Sequence, residues 1–157
     1  MRDESDMGQA IKTFTGNYSH VAIYLDEMIY HASGKAGIIC QEPIDFFESN
    51  HLYDLYVYSE MDIQSVKERA CKHLGAPYNA SFYPDGVGFY CSQYIAEILL
   101  IFETIPMKLR DGEKEIDDFW REYYRELGFS VPLNQAGTNT SQLAASPLLE
   151  CKERNLH

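Results

Sequence analysis

Two apolar segments separated by only two residues constrain the fold of this chain more than any other feature. Residues 18–25 and 28–32 both have the composition of strands, and Asp26 and Glu27 stand where a hairpin turn is expected. Residues 38–40 add a short third strand after a glycine-containing loop. Because these strands follow one another closely and pair locally, the sequence predicts an antiparallel sheet in an α+β fold.

Helices are predicted before and after these strands in the sequence, because apolar residues recur there at helical spacing. The helices are expected before residue 16, at residues 62–73, at 91–102 and at 117–127, with a helical turn at 43–49 and another strand at 52–58. The chain of 157 residues is expected to form a single domain, residues 1–157. From about residue 130 it is polar and aperiodic, which predicts an irregular C-terminal extension.

The net charge excludes two classes of partner. The chain has 24 acidic and 13 basic residues and a formal net charge of −11 at pH 7. Non-specific binding to nucleic acid and attraction to anionic lipid headgroups both require a basic surface. We therefore expect neither nucleic acid nor an anionic membrane surface as a partner.

The hydropathy of the chain predicts no integral membrane segment. The longest strongly apolar stretch, residues 95–102, contains Glu97 and falls well short of the roughly 20 residues that a spanning helix needs. The first residues are polar and acidic and lack the apolar core of a signal peptide. The chain as given is expected in the cytoplasm, or in the cell envelope if a leader has been removed.

One of the four cysteines stands at a position suited to a nucleophile. None of Cys40, Cys71, Cys91 and Cys151 forms a CxxC pair, so neither a zinc knuckle nor a thioredoxin-like site is predicted. Cys91 follows a glycine-rich loop and opens an apolar helix, where free N–H groups and the helix dipole favour a thiolate and lower its pKa. The same N–H groups can stabilise an oxyanion. For the other three cysteines we predict structural roles.

His20 and His31 are predicted on neighbouring strands of the hairpin. Taken alone, the segment around His20 is better explained by a half-exposed strand histidine bonded to a neighbour than by catalysis. With the turn at Asp26 and Glu27, however, His31 comes within side-chain reach of His20. A second polar group on the far nitrogen of a catalytic imidazole fixes its tautomer and orientation. His31 is the predicted orienting residue, and Asp26 and Glu27 are exposed alternatives.

Two pairs of segments carry a resemblance to a known family. Residues 75–78 (Gly-Ala-Pro-Tyr) precede residues 90–92 (Tyr-Cys-Ser), and residues 20–25 precede 29–33. The first pair resembles the Gly-x-Pro-Tyr segment and the Cys-Ser helix start of the NlpC superfamily of papain-like cysteine hydrolases. The second pair resembles that family's histidine strand and third polar residue. Because histidine precedes cysteine, the chain is similar to the circularly permuted, YiiX-like branch, an order shared with lecithin–retinol acyltransferase-like proteins.

The resemblance implies a permuted papain-like fold in which an antiparallel sheet packs against helices and the nucleophile opens a helix. It implies catalytic roles for Cys91 as nucleophile, His20 as base and His31 as orienting residue. Many permuted members have a glutamate at the position of His31, and Gln93 replaces the glycine or glutamate that commonly follows the Cys-Ser pair.

Three hydroxyl-bearing residues complete the expected site. The resemblance implies that Tyr78, Tyr90 and Ser92 support the oxyanion or bind substrate. For Tyr78, a role as an anchor of its loop explains the residue equally well.

The activity that the resemblance implies is acyl transfer through a thioacyl-enzyme, with no metal or organic cofactor. The expected substrate has an amide bond in a peptide, including cell-wall peptides. Two alternatives stay open. One is a lipid acyl hydrolase or acyltransferase of the same fold, which would act on an acylated small molecule. The other is a non-catalytic binding module, against which the intact cysteine and histidines argue.

Overall fold

The computed structural model describes residues 6–47, 51–108 and 116–156, and its architecture is α+β, as predicted. Short sheets alternate with helices along the chain. In chain order the elements are α1 (Asp6–Thr15), β1 (Ile23–Leu25), β2 (Met28–Ser33), β3 (Gly37–Gln41), α2 (Pro43–Phe46), β4 (Tyr53–Val57), α3 (Ile63–Lys72), α4 (Cys91–Leu99), β5 (Ile105–Pro106), α5 (Asp118–Leu127), β6 (Ala136–Gly137), α6 (Thr140–Ala144) and β7 (Glu150–Leu156).

The predicted hairpin forms part of a three-stranded antiparallel sheet with the order β1-β2-β3. Leu25 pairs with Met28, so the turn consists of Asp26 and Glu27 alone. Their φ angles of 47° and 67° are both positive. Positive φ at both central residues is the geometry of a type I′ turn, whose twist matches that of the paired strands. The turn and its register are confirmed.

The first strand is shorter than the predicted segment 18–25. Only Ile23–Leu25 pair with β2, and His20 lies in the chain that leads into the strand. Tyr18 is held elsewhere: its N–H donates to the Ser141 hydroxyl at 3.3 Å, and its own hydroxyl donates to Asp54. These contacts draw the beginning of the segment away from β2.

The main core lies between the three-stranded sheet, α3 and α4. From α4 it receives side chains at helical spacing, namely Cys91, Tyr94, Ile95 and Ile98. The sheet contributes Leu25, Tyr30, Ala32 and Ile38, and α3 contributes Val66 and Ala70. The helix ends three residues before the predicted position because Leu100 adopts the left-handed conformation, with φ of 59°.

The other predicted elements form close to their expected bounds. Asp62 caps α3 by accepting a hydrogen bond from the Ser65 N–H at 3.3 Å. Asp117 caps α5 in the same way, accepting from Phe119 at 2.7 Å. The helical turn expected at residues 43–49 forms as Pro43–Phe46, and residues 48 and 49 lie outside the described residues.

A second, aromatic core anchors the glycine-rich loop at residues 76–89. Phe82 from this loop packs with Tyr90, Trp120 and Tyr124. The α5 tyrosines also hold the loop backbone, because the Tyr123 and Tyr124 hydroxyls donate to the carbonyls of residues 80 and 81 at 2.7 and 2.9 Å. The loop that precedes the Cys91 helix is therefore fixed by α5.

The prediction of an irregular C-terminal extension from about residue 130 is wrong for most of that segment. β6 pairs with β5, α6 follows at Thr140–Ala144, and β7 pairs with β4 as a two-stranded ribbon. The sequence pattern missed β7 because most of its side chains are exposed, so that apolar and polar residues do not alternate.

A buried carboxylate joins this C-terminal strand to the chain before β1. Asp54 in β4 has a side chain only 1% exposed. It accepts hydrogen bonds from the Tyr18 hydroxyl and from the Asn155 N–H, the latter at 2.9 Å. Arg154 lies 3.4 Å from the same carboxylate. One side chain thus ties β4, β7 and the segment that carries His20 together.

We expect Asp54→Ala to lower the free energy of unfolding by about 1–3 kcal/mol, because the Asn155 N–H and the Tyr18 hydroxyl lose their buried acceptor. Urea denaturation measures the loss. Arg154→Ala is the matched control, since this arginine is 60% exposed and solvent screens its ion pair. Equal losses for the two variants would show that the carboxylate acts only through Arg154.

Candidate active site

Cys91 is the first residue of α4, as predicted. Tyr90 is the N-cap residue with an extended backbone, and the Gln93 side chain accepts a hydrogen bond from its N–H at 3.3 Å. Gln93 also accepts one from the Asn79 amide at 3.2 Å. The start of the helix is thereby fixed, and the Cys91 side chain points into the core with 6% of its surface exposed.

The surroundings of the Cys91 sulfur combine burial with hydrogen-bond donors. Burial raises the pKa of the thiol, and this effect exceeds the opposing effects of the Thr140 hydroxyl and the backbone N–H groups of Ser92 and Val21. The Thr140 Oγ1 lies 3.9 Å from Cys91 Sγ. The sequence predicted a lowered thiol pKa. The net direction is opposite because the helix start is enclosed by the core, and burial disfavours the charged form.

Tyr78 reaches this region through a short backbone pairing with the residues just before Cys91. The Phe89 N–H donates to the Pro77 carbonyl, and the Asn79 N–H donates to the Phe89 carbonyl, both at 3.2 Å. Gly88 permits this approach, since its φ is 82° and a Cβ there would lie 1.9 Å from the Pro77 oxygen.

The Tyr78 phenol consequently lies beside Cys91. Burial and then the charge of Cys91 raise the pKa of Tyr78, whereas the backbone N–H of Cys91 acts in the opposite direction by stabilising the phenolate. A backbone N–H and a phenol hydroxyl are thus close to one another at the start of α4. This pair has the donor composition of an oxyanion hole.

The two histidines meet as the hairpin register predicts. His20 Nε2 lies 3.0 Å from His31 Nδ1, and the two rings are nearly perpendicular. Phe46 packs against both rings, with its centroid 5.1 Å from that of His31. His31 is 8% exposed, and burial lowers its pKa. Its Nε2 makes no hydrogen bond among the described residues, although the Gln41 side chain lies close enough to raise the ring's pKa.

The histidine segment lies close to Cys91. Val21, which follows His20, packs on the core cluster that contains Cys91, and its N–H acts on the Cys91 thiol. His20, His31, Cys91 and Tyr78 therefore belong to one region between the sheet and α4. The exposed alternatives Asp26 and Glu27 lie at the far end of the hairpin, where Asp26 pairs with Lys67 at 2.7 Å.

The Tyr90 and Ser92 hydroxyls are both engaged by the C-terminal chain. The Thr138 N–H donates to the Tyr90 hydroxyl at 3.0 Å, and the Ser92 hydroxyl donates to the Thr138 carbonyl at 3.0 Å. The Thr138 hydroxyl in turn donates to Ser92 at 3.2 Å. These bonds hold the residues around Thr138 against the start of α4.

Sequence reasoning missed three residues of this region, Gln41, Thr138 and Thr140. The two threonines were assigned to an irregular tail. One local signal was available, because Asn139 followed by Gln142 forms a capping box that marks the start of α6. For Gln41 the β2–β3 register was needed, which places it diagonally across from His31.

Comparison with known proteins identifies the family. A family model described as "permuted papain-like amidase enzyme, YaeF/YiiX, C92 family" matches residues 2–150. The chain belongs to this family. It is therefore a papain-like cysteine hydrolase of the amidase type with the permuted order of histidine before cysteine, and the resemblance inferred from its motifs is confirmed.

A solved structure shares the fold of this amidase. The metalloprotein YiiX from Escherichia coli O157:H7 superposes with a TM-score of 0.80 at 19% sequence identity, covering 99% of this chain and 93% of that one. No curated protein matches the sequence.

The description of that YiiX structure as a metalloprotein raises the question of a metal site in this amidase. Within residues 6–47, 51–108 and 116–156, no group of three or more His, Cys, Asp and Glu side chains is arranged to hold an ion. The residues present therefore do not fit a metal site of this kind, and we derive no step through one. The same residues contain no helix long and apolar enough to cross a membrane.

We expect His31 to make the stability of the fold depend on pH. Because burial lowers its pKa, the unfolded chain binds more protons than the folded chain between that lowered value and 6.5. The contribution of neutral His31 is fully present above about pH 6.5 and is lost as the pH falls through this window. Tm measured from about pH 5 to 7.5 should fall more steeply at the acid end for the wild type than for His31→Gln.

His73→Gln is the control for this prediction. His73 lies at the C-terminal end of α3, 3.7 Å from Glu97, and its replacement leaves His31 in place. It should keep the steep acid decline. If the fall in Tm at acid pH persists unchanged in His31→Gln, groups other than His31 cause it.

Proposed function

We propose that this amidase cleaves an amide bond in a peptide, with Cys91 as nucleophile, His20 as its base and His31 as the orienting residue. The observation that carries the proposal is the 3.0 Å contact between His20 Nε2 and His31 Nδ1, beside the helix that begins at Cys91. A base oriented by a second polar group next to a nucleophile at a helix start is the arrangement that acyl transfer requires.

The contacts of the histidines support one assignment of protons. His20 donates from Nε2–H to His31 Nδ1, and a neutral His31 then carries its own proton on Nε2. In this tautomer His20 accepts the Cys91 proton on Nδ1. His31 remains neutral because burial lowers its pKa, so it orients the base without competing for the proton.

The thiol rests protonated, because burial raises its pKa. The thiol proton passes to His20, and the resulting thiolate then attacks the carbonyl carbon while the carbonyl electrons move onto the oxygen. The Cys91 N–H and the Tyr78 hydroxyl stabilise that oxyanion. His20 then protonates the leaving amine, and water hydrolyses the thioester.

Tyr90 and Ser92 act in this proposal by positioning the site. Their hydroxyls bind the backbone of Thr138 at 3.0 Å, which leads to Thr140 beside the nucleophile. Both residues are 2% exposed. This burial supports a role in holding the start of α4 rather than direct contact with substrate.

We expect Cys91→Ala to abolish release of amine from cell-wall peptides and simple dipeptide amides, and His20→Ala to lower kcat by about 10²–10⁴-fold, the usual contribution of a general base. Amine release and mass spectrometry of a trapped thioester measure both effects. Cys151→Ser is the matched control, because this cysteine lies on β7 and should keep wild-type rates. Activity that survives in Cys91→Ala would remove the nucleophile from the proposal.

A cavity beside the site favours a second substrate class, a long apolar acyl group on an amide or ester. The cavity has a volume of about 350 Å³, and both His20 and Thr140 belong to its lining. The rest is mainly apolar and includes Ile23, Phe46, Tyr53, Leu99, Phe102 and Leu143. Volume and lining are typical of sites for apolar small molecules. This supports the lipid acyl hydrolase or acyltransferase as the alternative activity.

The two substrate classes can be separated by acyl chain length. If the cavity holds an acyl chain, kcat/KM for N-acyl amides should rise several-fold with each methylene, since each buried CH₂ contributes about 0.8 kcal/mol. Ala144→Phe fills part of the lining and should remove this rise while short substrates react as before. Ala145→Phe, at an exposed neighbouring position outside the lining, is the control. A rate independent of chain length in the wild type would favour the peptide alone.

A further inference from the structure

The Thr140 side chain has an unusual partner. Among the described residues, Cys91 Sγ is the one hydrogen-bond partner of Thr140 Oγ1, at 3.9 Å. Both residues are 6% exposed, and the cavity that Thr140 lines is mainly apolar, so little solvent competes for this hydroxyl. The other threonine of this turn differs, because the Thr138 hydroxyl donates to the Ser92 oxygen at 3.2 Å.

The strength of this contact depends on the protonation state of the sulfur. A neutral thiol is a weak hydrogen-bond acceptor. A buried hydroxyl that has only such a partner therefore recovers little of the free energy that it loses on leaving water. A thiolate accepts a charge-assisted hydrogen bond, which is roughly twice as strong as a neutral one. The contact therefore stabilises the thiolate more than the thiol, which is the kind of difference that accelerates a reaction.

The hydroxyl is held in place before any substrate binds. The Tyr90 and Ser92 hydroxyls fix the backbone at Thr138, and the side chains of Asn139 and Gln142 cap the first turn of α6 around Thr140. A donor that is already oriented needs no reorganisation when the charge forms.

We propose that Thr140 is a further catalytic residue, whose hydroxyl donates a hydrogen bond to the Cys91 thiolate. The thiol proton goes to His20, the sulfur lone pair then forms the bond to the carbonyl carbon, and the Thr140 bond is released as the sulfur loses its charge. The inference rests on the proposed role of Cys91. The C-terminal chain thus stabilises the thiolate through Thr140, and the N–H groups of Ser92 and Val21 do so from other parts of the chain.

Two pairs of variants isolate the hydroxyl. Thr140→Val keeps the shape of the side chain and removes the oxygen, and Thr140→Ser differs from Thr140→Ala by the same oxygen. The measurement is the rate at which iodoacetamide alkylates Cys91 in the full chain as a function of pH, followed by peptide mass mapping. The midpoint of the profile reports thiolate formation, and the plateau at high pH reports access to the sulfur.

We expect the midpoint to rise by about one pH unit in Thr140→Val, so that alkylation near neutral pH slows about tenfold, the size of one charge-assisted hydrogen bond. Thr140→Ala should show the same rise relative to Thr140→Ser. If Thr140→Val does not fold, the serine and alanine pair alone decides the result. kcat for amide cleavage should fall by a similar factor in the variants without the hydroxyl.

Thr138→Val controls for the loss of a buried hydroxyl in the same turn. It removes the bond to Ser92 and should lower Tm while the alkylation midpoint stays unchanged. Equal midpoints in Thr140→Val and wild type, and in the alanine and serine variants, would overturn the inference. Because alkylation requires no substrate, that outcome would leave the role of Cys91 intact, whereas amide cleavage by Cys91→Ala would overturn the proposed function instead.

Discussion

The approach of three backbone segments brings the two halves of the active site together. The Ile38 N–H of β3 donates to the Ala76 carbonyl at 2.8 Å, and the Gly75 N–H donates back to Ile38 at 2.9 Å. On its other side the same loop pairs with Phe89, two residues before Cys91. The sheet that holds His31 and the helix that begins at Cys91 are thus joined through residues 75–79. This pairing fixes where the third strand of the sheet lies relative to the start of α4.

Glycine makes that pairing possible at two points. A Cβ at Gly37 would lie 2.2 Å from the Ala76 oxygen, and one at Gly88 would lie 1.9 Å from the Pro77 oxygen. Both residues also have positive φ, at 74° and 82°. Sterics and backbone conformation therefore require glycine on each side of the loop. The Gly-x-Pro-Tyr motif covers only the loop between them, and the two glycines that let the chain approach it, Gly37 and Gly88, lie outside the motif.

Burial gives the site its second constraint. The thiol, the Tyr78 phenol and His31 are all enclosed. Burial raises the pKa of the thiol and of the phenol and lowers that of His31, which favours the neutral form of each group. These three groups are therefore uncharged before a reaction begins. The site needs donors that act when charge develops, and the described donors near the sulfur are backbone N–H groups and one hydroxyl. A low dielectric strengthens each of these bonds once the thiolate or oxyanion has formed.

The sequence predicted those parts of the fold and site that local rules decide. The two-residue turn sets the register of β1 and β2, and the segment that leads into β1 brings His20 to His31 as expected. Capping residues and helical spacing located α3 and α4. What it missed depends on contacts distant in sequence. Thr140 contacts Cys91 across 49 residues of sequence, and the net direction of the Cys91 pKa shift depends on burial by the surrounding core.

The C-terminal chain explains why local rules failed there. β7 is a mostly exposed strand whose role lies in its backbone, since the Asn155 N–H satisfies the buried Asp54 carboxylate. Asp54 holds Tyr18, and the Ser141 hydroxyl accepts from the N–H of Tyr18 at 3.3 Å, two residues before His20. The amino-acid composition of β7 does not reveal that its backbone holds the Asp54 carboxylate.

The permuted order has a physical consequence in this structure. Because the histidine segment comes first in the chain and Cys91 follows later, the chain after α5 returns to contact both. It reaches Cys91 through Thr140 and the segment before His20 through Ser141, which are consecutive residues of α6. A displacement of this short helix would therefore alter the surroundings of Cys91 and of the histidine segment together.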